Sequence, residues 1–326
     1  MTSITLKGEL LAFAALLMFS SNILLTKVAS ARLNMNAGFL VSVAANIVFA
    51  TLLLSVQMVT RDTVLHWDWP GFALYIGAGI FSTWLGRWFF FESIAKLGPA
   101  KASLFQVSSP LFTLLIAWLL LGERLGALRL VAMASAIIGL MLVSVPPSAL
   151  ARTGARGATT RSRVAANASA MRNSLVKSGF LIGFASSAAY AAGNVFRGAG
   201  IRRWDEAIAG ALIGAVAAFT LQLAFGAGTG AIVRKIRSYD RKGVLLFAAG
   251  GVLTISAQVC TITAMGYAPV AVVALITLCT PLIVFPFSYF LFGNAERISP
   301  WTLLGGAVTL ASVAVLMLPE GSFGVP

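Results

Sequence analysis

Apolar runs of about 20 residues, broken by short polar connectors, recur along the whole chain. A hydrocarbon core of about 30 Å takes roughly 20 apolar residues to cross at 1.5 Å per helical residue. By that measure the sequence predicts ten helices. In the first half they fall at about 7–29, 37–59, 70–93, 99–121 and 126–145. In the second half they fall at about 179–200, 206–227, 243–265, 269–292 and 300–318. Short connectors make consecutive helices antiparallel neighbours. Residues 146–178, rich in Ser, Arg, Ala and Gly without an apolar period, read as a linker.

The two groups of five repeat each other. Pro99 and Pro269 open the fourth and ninth runs 170 positions apart, and the mid-run prolines Pro110 and Pro281 are 171 apart. The turns Gly122-Glu123-Arg124 and Gly293-Asn294-Ala295-Glu296-Arg297 place their Glu-Arg pairs 173 apart, as are Pro146 and Pro319. The boundaries that follow are 1–145 for a first repeat, 146–178 for the linker, 179–319 for a second repeat and 320–326 for a tail. A unit with an odd number of crossings enters the membrane from the opposite side when copied. The expected fold is therefore an all-α integral membrane protein, with ten transmembrane helices as two inverted five-helix repeats. Secondary transporters use this arrangement with a site near the midplane between the repeats. A mid-span proline frees a carbonyl that must meet protein or water, so Pro110 and Pro281 are read as kinks facing a cavity and as gating positions.

Composition agrees. Of 326 residues 59% are hydrophobic and 10% charged, and mean hydropathy is +0.91. Soluble domains run near 25% charged, because they need a polar surface. The net charge of +14 sits in connectors, where it meets lipid headgroups rather than nucleic acid. Cys260 and Cys279 lie inside apolar runs and His66, the sole histidine, in a connector, so no metal site, redox motif or cofactor is expected. The first apolar run exceeds signal-peptide length and reads as a retained span. Seven Lys/Arg fall on the side of the termini and sixteen on the other, with Arg87 inside the membrane. By the positive-inside rule both termini face outward.

Polar residues inside spans are the site candidates, since each is costly there. Trp84, Arg87, Trp88 and Phe91 follow i, i+3, i+4, i+7 spacing, which puts them on one helical face. Arg87 either snorkels to headgroups with the tryptophans as an interfacial belt, or holds an anionic group of a substrate. Asn22 and Asn194 occupy the first helices of the two repeats, with Tyr190 one turn before Asn194. Gln106 and Thr277 lie one turn before the mid-span prolines, and Gln258 and Thr261 share a face of the eighth helix. All are cavity candidates, against the alternative of interhelical hydrogen bonds. Gly179/Gly183 and Gly210/Gly214 have the small-xxx-small spacing of close helix packing. No Asp or Glu sits mid-span, which favours uniport-like or gradient-driven movement over proton exchange.

The ten runs in two five-helix repeats, the Pro-Ala-like openings and mid-helix prolines resemble the drug/metabolite transporter superfamily. The Gly-Glu-Arg turn before each last helix is similar to its EamA group. Phe19-Ser20-Ser21-Asn22…Lys27 and Tyr190…Asn194…Arg197 resemble that family's first-helix pattern. The resemblance implies a secondary transporter of a small organic metabolite or drug-like solute, working by alternating access as a multi-pass protein of a bacterial inner membrane. It implies both termini inside, against the charge count. A monomer is compatible with the sequence. A membrane-embedded enzyme acting on lipid substrates would need several acids, bases or metal ligands, and a channel a charged ring or polar pore helix; neither pattern is present.

Overall fold

The computed structural model describes residues 3–61, 67–109, 112, 116, 127–144, 179–226, 230, 239–267, 273, 276–277, 279–293 and 300–316. The described residues are helical, with no strand among them. The first segment contains α1 (Ser3–Ser30), α2 (Met35–Arg61), α3 (Trp69–Ala78), a π-helical stretch (Gly79–Gly86), α4 (Arg87–Leu97), α5 (Pro99–Gln106) and α6 (Ala127–Ser144). The second contains α7 (Phe180–Arg203), α8 (Ala207–Phe225), α9 (Arg241–Tyr267), α10 (Thr280–Phe292) and α11 (Pro300–Leu316). Four helices are long and apolar enough to cross a membrane by themselves: Leu6–Ser30, Met35–Thr60, Ala207–Phe225 and Arg241–Tyr267. The linker, Pro110, Pro269, His66 and the Gly122-Glu123-Arg124 turn lie outside the described residues.

Local chemistry sets the helix ends. Asn34 caps α2 by accepting the Ala37 amide at 2.8 Å, and Asp68 caps α3 by accepting the Gly71 amide at 3.0 Å. Pro70 then occupies the first turn of α3, where its missing N–H costs no bond. Gly98, at φ 87, ends α4, and Pro99 starts α5 beside it. Gly179 also has positive φ, 79, as the residue preceding α7. It is thus a turn glycine and not half of a packing pair with Gly183, which meets the ring of Phe105 instead.

Consecutive helices are not the principal neighbours, contrary to the expectation from short connectors. Helix α1 packs along α9, with α2 on its other flank, while α1 and α2 hardly touch. In return, the α3–π–α4 span packs on α7 and α8. Helix α2 lies on α8, α5 on α10 and α6 on α11. Each segment's third span is thus held by the first two helices of the other segment. A tight turn fixes only where the next helix begins; the small residues along each helix decide where it can lie close.

Those residues recur 172 positions apart. A Cβ on Gly38 would sit 2.3 Å from the Phe247 ring, and one on Gly210 would sit 2.3 Å from the Tyr75 ring. A Cβ on Gly251 would sit 2.3 Å from the Ser42 carbonyl oxygen, and one on Gly79 would sit 2.5 Å from that of Gly214. Gly71 lies against Trp204, and Gly243 against Arg32. Every member of the first contact in each pair has its counterpart 172 residues on, or back, in the second. The ion pairs Arg203 to Asp68 at 3.1 Å and Arg32 to Asp240 at 3.3 Å are related almost in the same way, with the aspartates 172 and the arginines 171 positions apart. The Asp240 carboxyl is held below its ordinary value first by the Lys242 amide and then by Arg32. Its contribution is therefore complete above that ordinary value and is lost as pH falls through the lower one.

The glycine contacts give a graded prediction. Gly79→Ala and Gly251→Ala each place a methyl against a backbone carbonyl and should destabilise by about 1–3 kcal/mol. Gly266→Ala, with nothing within 4 Å of the added carbon, should be neutral or stabilising. Thermal unfolding of the purified variants in one detergent checks the order.

Candidate functional site

Where α7 meets the π-helical stretch and α9, the interior is polar. The π stretch is made of Gly79-Ile80-Phe81-Ser82-Thr83-Trp84-Leu85-Gly86, with Gly79, Ser82, Thr83 and Gly86 buried. Its glycines permit the approach of two helices: Gly79 faces the Gly214 backbone and Gly86 the Tyr190 ring. A wider helix turns each residue through a smaller angle than an α-helix does. Of the four residues on the expected stripe only Trp84 lies in this stretch; Arg87, Trp88 and Phe91 are in α4. There Arg87 and Phe91 are inside, 2% and 1% exposed, whereas Trp88, about 100° further around the helix, is 37% exposed and its indole donates to Asn36 Oδ1 at 3.4 Å. Trp84 is half-buried and donates to Gln222 Oε1 at 3.1 Å, away from Arg87.

Arg87 does not snorkel. Its Nη2 donates to Ser42 Oγ at 2.6 Å and to Thr254 Oγ1 at 3.1 Å, joining α2 to α9. Asn46, with its carboxamide turned so that Oδ1 faces the guanidinium, accepts from Nη1 at 2.7 Å. In that orientation it donates to the Ser42 and Gly251 carbonyls at 3.0 and 2.7 Å. The guanidinium carbon also stands 5.4 Å from the centre of the Phe91 ring, so the cation–π contact is to Phe91 and not to either tryptophan. Arg87 Nε is buried without a partner.

A second arginine, counted in the sequence among the connector charges, lies in the same interior. Arg197 is 7% exposed and donates through Nη2 to Gln258 Oε1 at 3.0 Å, with Thr83 Oγ1 at 3.5 Å. This leaves six Lys/Arg on the side of the termini against fifteen, with Arg87, Arg197 and Lys101 buried in the bundle. Tyr190 lies within electrostatic reach of both guanidiniums, and its ring meets Phe90 edge-on at 6.2 Å. The available sequence signal was that Tyr190, Asn194 and Arg197 follow helical spacing. Their common face continues to Ser187 and Ile201, both buried, yet Asn194 is exposed. The outward side of α7 is marked by Leu181 and Val195, and Asn194 lies among the buried residues of the face that carries Tyr190 and Arg197.

The other candidates divide. Gln106 Nε2 donates to Ser186 Oγ at 2.9 Å, and Ser186 donates in turn to the Gly86 carbonyl at 2.9 Å, tying α5 to α7 and the π stretch. Asn22 is buried against Gly250, its Oδ1 2.6 Å from where a Cβ would stand, and that oxygen has no partner. Its counterpart Asn194 is open; the residue matching Gly250 is Ala78, whose methyl removes the notch a glycine provides. Thr261 bonds only its own helix, at the Ala257 carbonyl. Thr277 bonds the Val273 carbonyl at 3.1 Å.

Pro281 does not kink a continuous helix. It sits in the first turn of α10, after a break in which the Cys279 amide donates to the Ile276 carbonyl at 3.1 Å. The corresponding bond in the first segment, 171 positions earlier, runs from the Ser108 amide to the Phe105 carbonyl at 3.0 Å, just after α5 ends. A proline cannot donate to the preceding turn, so the chain closes a tighter turn and restarts. Pro286, not a sequence candidate, is the proline inside α10.

A separate cavity of about 190 Å³ is lined by Gln57, Asp205, Glu206, Val259, Thr263 and Tyr267 among others. It lies on a different face of α9 from Gln258. Its acidic rim is bonded internally, Gln57 Nε2 donating to Glu206 Oε2 at 2.9 Å.

Ser42→Ala removes a charge-assisted bond to a buried guanidinium and should lower stability by about 1.5–3 kcal/mol. Thr261→Val, which removes only a bond within its own helix, should stay within about 0.5 kcal/mol. Denaturation monitored by tryptophan fluorescence separates the two.

The EamA-like transporter family model matches residues 6–145. No curated protein matches. A solved structure titled "Crystal structure of protein" shares 19% identity at a TM-score of 0.55, over 94% of this chain and 95% of its own. That likeness concerns the fold alone and extends across both segments. The protein is an integral, multi-pass membrane protein, and its residues 6–145 match the EamA-like transporter family model.

Proposed function

We infer that the chain is a secondary transporter of a small organic solute, working in a bacterial inner membrane by alternating access. The site is the polar region where α7 meets the π stretch and α9, with Asn194, Tyr190, Arg197 and Gln258 toward the solute and Arg87 behind them. The observation that carries this reading is the reciprocal packing at an offset of 172, which supports two five-helix repeats of opposite orientation. In such a pair the two arrangements of one repeat against the other have similar energies, and a solute bound between them meets each side in turn. Trp84, Gln106, Asn22, Thr261 and Thr277 then shape the walls, and the turn after α5 and the break before Pro281 are where the fourth helices flex.

The two ion pairs fit this scheme. Arg32 precedes α2 and Asp68 follows it, and 27 helical residues span about 40 Å, so the pairs close opposite ends of the bundle. Both are partly exposed and screened by salt, so they bias an equilibrium without locking it.

The first test is counterflow in proteoliposomes: saturable exchange of labelled for unlabelled solute is expected, and leakage equal to that of empty vesicles for a broad metabolite panel would remove the reading. The second uses Asn194→Cys in a Cys260→Ser, Cys279→Ser background. Asp68→Asn should raise labelling by an impermeant maleimide from one face, and Asp240→Asn from the other. Equal labelling in both variants would argue against opposed gates.

A further inference from the structure

Two guanidiniums inside this bundle share one neighbourhood, and no carboxylate among the described residues reaches either. The described ion pairs, Arg32–Asp240, Lys96–Glu92 and Arg203–Asp68, all lie toward helix ends. Arg87 and Arg197 are satisfied instead by neutral groups: the hydroxyls of Ser42, Thr254 and Thr83 and the carboxamides of Asn46 and Gln258. Hydroxyls and amides satisfy hydrogen-bonding geometry but leave the charge uncompensated. Arginine stays ionised in proteins, so Arg87 and Arg197 bring two positive charges into a region where charge is costly. A protein that only needed these residues for packing would do as well with uncharged ones, since apolar replacement of buried ionic groups is often neutral or stabilising.

Resting on the transporter reading above, we propose that the solute is an organic anion, a small molecule carrying a carboxylate that Arg197 binds directly and the Arg87 charge attracts from behind. The assignment of roles follows from access. Arg87 is sealed, with both Nη atoms engaged across α2 and α9, and it contributes its field. Arg197 is the less enclosed of the two and shares its helical face with Asn194, the exposed residue of that face. An approaching carboxylate meets Asn194 and Tyr190 and then the guanidinium, whose planar fork matches two carboxylate oxygens. Thr83 and Gln258, which hold Arg197 at 3.5 and 3.0 Å, are positioning residues.

The test uses the full-length protein in proteoliposomes, with acetate, succinate and benzoate, their neutral amides, benzamidinium as the cation and phenyl phosphate as the alternative anion. Saturable counterflow of at least one carboxylate, with its amide at least 10-fold slower, is expected. Arg197→Gln should raise the half-saturating concentration at least 10-fold and Arg197→Lys should restore part of it. Thermal shift on the wild-type protein gives a readout independent of any variant's folding: carboxylates should stabilise it, and chloride at equal concentration should not. Counterflow confined to amides or to the cation would overturn the anion assignment and leave the transporter intact. So would stabilisation by chloride alone, or transport of phenyl phosphate without any carboxylate. Absence of flux in every arm would overturn both.

Discussion

Close backbone approach between the two segments is the constraint from which the rest follows. The π stretch reaches the α8 backbone at Gly79, and α9 reaches the α2 backbone at Ser42 through Gly251. With no hydrophobic drive between helices in lipid, contact depends on van der Waals packing and on side chains small enough to permit it. Glycine at these crossings lets a third span leave its sequence neighbours and lie against the first two helices of the other segment. Once both third spans do so, the residues just beyond the glycines come together in the middle: Ser82, Thr83 and Arg87 from one, Thr254 and Gln258 from the other.

That meeting also explains why polar groups survive there. The hydroxyls of Ser42, Thr254 and Thr83 and the carboxamide of Gln258 each accept from a guanidinium on a different helix, Arg87 reaching α2 and α9 and Arg197 reaching the π stretch and α9. Such bonds tie the halves at a few points rather than along a greasy seam, so an alternative packing has to exchange only a small number of them. The unpartnered Asn22 Oδ1 and Arg87 Nε are groups that another arrangement, or a ligand, is free to satisfy.

Comparison of residues shows where reading the chain succeeded. Gly98-Pro99 marked the end of α4 and the start of α5, and Gly293 the end of α10, because such punctuation acts on the residue's own backbone, whereas Pro281, read as a mid-span kink, instead starts α10. Asn22 and Gln258 stood out because a polar side chain in an apolar run is conspicuous whatever it touches, and both are buried. Arg197 was misplaced because it lies near Arg202 and Arg203, and a cation near a helix end looks like a connector charge until its depth is known. Trp88 was grouped with Arg87 because an i, i+3, i+4, i+7 stripe is broad, and Trp88 falls at its exposed edge, about 100° around α4 from Arg87.

The amino-acid sequence by itself determined that the chain is helical and membrane-embedded, that its punctuation recurs at 170–173 positions, and which few polar residues lie within apolar runs. Those are properties of single residues and their near neighbours. Only the tertiary structure decided which helices pack together, that Arg87 turns inward and Arg197 joins it, and that Asn194 is open while Asn22 is closed. Each of these depends on what stands opposite, and that partner is more than 50 residues away along the chain except in the Arg87 bonds to Ser42 and Asn46, where it is 45 and 41.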